Sequence, residues 1–203
     1  MGILRTIINR MKSRPDIVDV RVVKGVETES EPPKHYEFLP APIDTSGYRQ
    51  IAPTEKQLNY ATDLGIKVVS GMSKSDLSAV ITRVVDEDFE NPSIGLLKYA
   101  QENGEAPSPY LGLANAVAIA TWHLKDPELC AFYLYCAYCS QLKMPIDNLN
   151  DSDLSGKIRA YGIEMSEDQK VVNSIRNRPS KDYVRPNKKA VAYAAAAKYI
   201  ELL

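Results

Sequence analysis

From residue 54 onward, apolar positions recur at helical spacing, and most runs are bounded by capping residues. Thr54-Glu55-Lys56-Gln57 has the form of a capping box: the Thr oxygen takes an orphan amide while Gln reaches back to the cap. Leu58, Ala61 and Leu64 follow on one face, and Gly65 offers a left-handed stop. Ser73-Lys74-Ser75-Asp76 opens a second helix in the same manner, with Leu77, Val80, Ile81, Val84 and Val85 forming its apolar stripe. Asn91-Pro92, Ser108-Pro109 and Asp126-Pro127 each set a capping residue before a proline, which predicts helices over 92–103, 109–125 and 127–144. Shorter helices are predicted near 152–161 and 166–177, and a terminal one includes Lys188–Glu201.

The helices over 109–125 and 127–144 are apolar nearly all round, so both are predicted to sit centrally and pack as a hairpin. Trp122, Phe132, Tyr133, Tyr135 and Tyr138 carry more aromatic surface than one helix face can bury. They read as core or as a self-association face, so a homo-oligomer is an open alternative. Tyr161-Gly162-Ile163 leading to Met165-Ser166 echoes Leu64-Gly65-Ile66 leading to Met72-Ser73. Both read as helix, Gly stop, apolar Ile, Ser cap and helix, and shared capping grammar explains the echo as well as duplication does.

Residues 1–53 have a different pattern. Ile3, Leu4, Ile7, Ile8 and Met11 fall on one helical face, surrounded by Arg5, Arg10, Lys12 and Arg14. Residues 17–23 are β-branched and partly alternating, with His35–Leu39 as a strand partner across the acidic stretch 27–31. Four prolines between Pro32 and Pro42 favour an extended connector instead, with a disordered arm as the alternative. The predicted fold is therefore mainly α. A basic amphipathic helix and an extended or β-hairpin arm (1–53) precede a small helix-loop-helix module (54–90). A multi-helix, bundle-like domain (91–203) follows, with its central apolar hairpin at 109–144.

A chain of 203 residues can bury a core without disulfides or metals. The formal charge of −1 argues against whole-protein attraction to nucleic acid or membrane, though local patches still act. The three cysteines, Cys130, Cys136 and Cys139, lie within one apolar run and fit a reducing cytoplasm. Basic residues interrupt the opening apolar stretch too early for a secretory leader. The longest apolar runs fall short of the roughly 18–20 residues that a membrane span needs.

The sequence offers no catalytic site, metal or cofactor. It lacks a glycine-rich phosphate loop, and its two histidines, His35 and His123, leave few options for a triad. His123 reads as a structural residue at a helix end. Cys136-Ala137-Tyr138-Cys139 has C-x-x-C spacing, but no further ligands lie nearby for zinc, and the pair sits inside an apolar helix. Asp86-Glu87-Asp88-Phe89-Glu90 crowds the C-terminal end of a helix, where the dipole disfavours acids, a mild sign of a partner. The run Asp147–Asp153 lacks the central Gly and final Glu of a calcium loop and reads as a helix cap.

Two basic regions remain, the N-terminal helix and the stretch Lys157–Lys189, where nine Lys or Arg face four acids. The candidate nucleic-acid-binding residues there are Lys170, Arg176, Arg178, Lys181, Tyr183, Arg185, Lys188 and Lys189. In such a loop, cations track phosphates while an aromatic ring stacks on a base.

The segment Pro53–Ile66 followed by Met72–Ile81 resembles a SAP or helix-extension-helix element of bacterial and phage proteins, a two-helix module often found beside nucleic-acid-processing domains. The resemblance covers about 35 residues. It implies docking to nucleic acid or protein, with Lys56, Lys67 and Lys74 as contacts. The expectation is a non-enzymatic, cytoplasmic accessory protein of bacterial or phage origin, without a membrane partner. It would bind DNA, RNA or a nucleic-acid-acting protein. The alternative is a protein–protein interaction factor, such as a phage-encoded inhibitor of a host defence nuclease, whose acidic stretches (27–31, 86–90) mimic nucleic acid.

Overall fold

In the computed structural model, which describes residues 35–203, two reciprocal capping boxes open the first two helices. α1 (Glu55–Asp63) is capped by Thr54, whose Oγ1 accepts from the Gln57 amide at 3.3 Å while Gln57 Oε1 accepts from the Thr54 amide at 3.1 Å. α2 (Lys74–Val85) is capped by Ser73 and Asp76 in the same way. Gly65 takes φ +73° just beyond α1, a conformation that a side chain would strain. α1 packs on α2, and Gln57 Nε2 donates to Ser78 Oγ across the pair at 2.7 Å.

Seven further helices follow: α3 (Ile94–Glu102), α4 (Leu113–Thr121), α5 (Asp126–Leu142), α6 (Ser155–Ser166), α7 (Gln169–Arg176), the single turn α8 (Lys181–Val184) and α9 (Val191–Ile200). A 3-10 turn, Leu149–Asp151, joins α5 to α6. The chain is thus mainly helical, as its periodicity predicts, and no strand occurs among the described residues. His35–Leu39 makes only one isolated bridge, Tyr36 to Ile66. The amphipathic helix at 3–11 and the strand at 17–23 lie outside the described residues, as does the acidic stretch 27–31.

The core is built around α5, whose Leu129–Ala137 run and Cys139 are all buried. Its principal neighbour is α6, which approaches closely because Gly162 faces it: a Cβ there would lie 2.6 Å from that of Ala131 and 2.7 Å from the Pro127 carbonyl. α7, α8 and α9 close the other sides of α5. Parallel rings of Tyr99 and Phe132, with centroids 4.9 Å apart, join α3 to this core.

Several predicted boundaries shift, each for a local reason. The hairpin expected over 109–144 is replaced: α4 packs on α3 and α8, while α5 pairs with α6. α4 starts at Leu113 rather than 109 because the Ser108 hydroxyl donates to Asp76 Oδ1 at 2.7 Å and accepts from the Tyr110 amide. Asn91 does not cap α3, since its Oδ1 accepts from the Arg83 guanidinium, and Ser93 caps it instead. Gly162 does not stop a helix but sits inside α6 at the contact with α5, and Asp168, not Ser166, caps α7. The polar loop predicted after 176 contains α8.

Candidate functional site

The basic segment 176–185 runs along α4 and is clipped at both ends. At the C-terminal end of α4, Arg176 Nε donates to Asp126 Oδ1 at 2.8 Å and its Nη2 donates to the Leu124 carbonyl at 3.3 Å. At the other end, Arg185 pairs with Glu90, whose carbonyl accepts from the Leu113 amide at 2.8 Å. Between them α8 packs on α4 and α5.

The candidate cations fall into two groups. Arg176, Arg178 and Arg185 are engaged in holding the segment. Arg178, partly buried, pairs with Asp182 at 3.0 Å and donates to Ser174 Oγ at 3.3 Å, and its Nε is buried without a partner among the described residues. Lys170, Lys181, Lys188 and Lys189 are exposed and make no ion pair with another described residue.

Tyr183 is corrected from a base-stacking ring to a core residue. It is 5% exposed, packs edge-on against Tyr133 at 5.3 Å, and its hydroxyl donates to the Ile175 carbonyl at 3.4 Å. Burial pushes its phenol pKa up. One turn of helix over 181–184 rotates the ring inward and leaves Lys181 outward. At the opposite, Arg176 end of the segment an exposed ring is Trp122, the C-cap of α4, two residues from the carbonyl that Arg176 holds. Beside it His123 is exposed and lies 2.5 Å from Glu105 Oε1.

Of the module lysines, Lys56 is exposed, Lys74 is partly buried and Lys67 pairs with Glu37 at 2.8 Å. They are remote in chain position from 170–189.

The acidic turn 86–90 is partly absorbed by the fold. The Asp88 carboxylate accepts from the Ala114 and Asn115 amides, supplying the cap that Gly112 cannot. Arg83, 4% exposed, donates to the Asp88 carbonyl at 3.0 Å and the Phe89 carbonyl at 2.9 Å. Burial lowers its pKa, with Asp88 opposing. Asp86 and Glu87 remain exposed.

No group of His, Cys, Asp and Glu suited to a metal ion occurs among the described residues. Asn148 and Asn150 each donate side-chain amides to Glu102, and Asn148 opens the 3-10 turn. Cys130, Cys136 and Cys139 are buried free thiols, and burial pushes Cys136 well up. No described helix is long and apolar enough to cross a membrane. No protein-family model, curated protein or solved structure matches this chain.

Proposed function

We propose that this protein is a non-enzymatic accessory factor that binds nucleic acid, or a complex acting on nucleic acid, through the lysines of 170–189. The observation that carries this reading is the division of labour among its cations. The arginines are spent on the fold, while Lys170, Lys181, Lys188 and Lys189 stay exposed with no carboxylate partner among the described residues. Lysines of this kind meet phosphates as point charges and release counterions on binding. Trp122 adds one exposed ring at the end of the same segment, suited to stacking on an unpaired base. The alternative, mimicry of nucleic acid by 86–90, draws on fewer charges than its sequence offers, because Asp88 and Glu90 are engaged within the fold.

The test is fluorescence anisotropy with labelled single- and double-stranded DNA and RNA over a salt series. The comparison is Lys170→Glu/Lys181→Glu/Lys188→Glu/Lys189→Glu, which leaves the arginine clips intact. Salt-sensitive binding that the variant loses supports the reading, and absence of wild-type binding at low salt ends its direct nucleic-acid form.

A further inference from the structure

The turn between α2 and α3 carries features that the fold does not reward. Asp86 and Glu87 stand at the C-terminal end of α2, where the helix dipole disfavours negative charge. Glu87 also takes φ +55°, a left-handed conformation that favours glycine. Neither carboxylate pairs with a cation among the described residues. Sequences break local rules of this kind where function asks for it.

These acids flank an aromatic platform. Val85 and Phe89, on either side of them, are 45% and 47% exposed. The Phe89 ring stacks on Tyr36 at 5.7 Å, and Tyr36 stacks in turn on Phe38 at 6.4 Å, both nearly parallel. Beneath the stack, the Arg83 guanidinium lies 4.6 Å from the Phe38 centroid while it holds the Asp88 and Phe89 carbonyls. The outer surface is therefore backed by Arg83, with its exposed ring and two exposed carboxylates carried on one turn.

We propose that this platform docks a cationic amphipathic segment of a partner protein. Apolar side chains of that segment rest on Phe89 and Val85, and its Lys or Arg side chains meet Asp86 and Glu87. Charge selects this occupant: two carboxylates with no cation partner among the described residues repel phosphate backbones and acidic peptides, and they steer cations toward the surface. A Lys or Arg reaching past them also finds the face of an exposed ring. Anchoring from beneath lowers the ordering cost of association. Arg185 pairs with Glu90 beside Phe89, so the surface adjoins the 176–185 segment, but the proposal does not rest on nucleic-acid binding.

The experiment uses the full chain and two fluorescein-labelled synthetic amphipathic peptides, one of Leu and Lys and one of Leu and Glu. The Leu/Lys peptide is expected to bind in a way that Phe89→Ser weakens, and any binding of the Leu/Glu peptide is expected to be indifferent to Phe89→Ser. Phe89→Ser should weaken binding by about tenfold, as for loss of an interface anchor. Asp86→Asn/Glu87→Gly should weaken it too while raising the thermal midpoint, because both local penalties are relieved. In a Lys→Gln variant at 170, 181, 188 and 189 the Leu/Lys peptide should still bind, and Phe89→Ser should still weaken it by about tenfold. Equal binding of the Leu/Glu peptide that Phe89→Ser weakens, or full affinity of the Leu/Lys peptide in the Asp86→Asn/Glu87→Gly protein, would overturn the proposal. So would wild-type dimerisation in sedimentation that Phe89→Ser abolishes, which assigns the platform to a second copy.

Discussion

Asp88 and Asn115 are joined twice: Asp88 Oδ2 accepts from both the backbone amide and the side-chain amide of Asn115, each at 3.0 Å. With Asp88 Oδ1 on the Ala114 amide at 3.1 Å, a residue from another part of the chain caps α4. Gly112 makes room for it, since a Cβ there would lie 2.3 Å from Asp88 Oδ2 and 2.4 Å from the Asp88 carbonyl oxygen. Asp88→Ala is expected to lower stability by about 1–2 kcal/mol, the usual cost of a lost cap, and Asp88→Asn by less. Urea titrations would check this through a lower midpoint at an unchanged slope. An unshifted midpoint in Asp88→Ala would show that the cap contributes nothing.

Gly162 sets the distance between α6 and α5, because any Cβ there meets the Ala131 Cβ and the Pro127 carbonyl. Backbone cannot yield as a flexible side chain would. Gly162→Val should therefore cost at least about 1–3 kcal/mol, the range for overpacking a core. The ordinary gain in helix propensity on replacing an interior glycine, about 1 kcal/mol for alanine, works against that loss. Thermal melts of Gly162→Ala and Gly162→Val would separate the two effects, and a stabilised Val variant would contradict the close crossing.

The caps of α1 and α2 were legible because Thr54–Gln57 and Ser73–Asp76 act within three residues of each other. The starts of α3 and α4 were not, because distant groups decide them. Arg83 takes Asn91, Asp76 takes Ser108, and Asp88 caps α4 across a gap in sequence. The same distinction applies at the candidate site. The excess of cations over 157–189 is visible in the sequence, whereas the pairing of Arg185 with Glu90 and of Arg176 with Asp126 depends on the fold. Tyr183 misled for a related reason: a single helical turn between two polar stretches has too few residues to show a period.

Stability should fall at alkaline pH. Burial pushes the Cys130 and Cys139 thiols up to about 11 and the Tyr99 and Tyr133 phenols up to about 12. Above the ordinary thiol value the unfolded chain has lost protons that the folded one still holds, so the unfolded state gains as pH rises. The stability tied to the thiols is whole below about 8.5 and is lost progressively toward pH 11, and the phenols follow from about 10. Each group adds a slope of about 1.4 kcal/mol per pH unit inside its own window. Urea midpoints from pH 7 to 10.5 would show a decline beginning near pH 8.5, and a flat profile would mean that these groups ionise as freely folded as unfolded. At pH 8 an aromatic disulfide reagent should leave all three thiols unmodified until urea is added.

Tyr183 and Trp122 separate packing from recognition. Tyr183→Ala should cost about 3–5 kcal/mol, as for removal of a large buried ring. Tyr183→Phe removes only a hydroxyl whose hydrogen bond to the Ile175 carbonyl is long, at 3.4 Å, and should cost no more than about 1 kcal/mol. Because the ring faces Tyr133 in the core, Tyr183→Phe should leave affinity for any oligonucleotide unchanged. Trp122 is 42% exposed, so Trp122→Ala should cost less stability than Tyr183→Ala. If the 170–189 surface binds single strands with a base stacked on Trp122, the same substitution should cost about 1–3 kcal/mol of binding. A loss confined to single-stranded probes would identify Trp122 as the stacking ring. Equal affinity in wild type and Trp122→Ala would reduce the surface to phosphate contacts from its lysines.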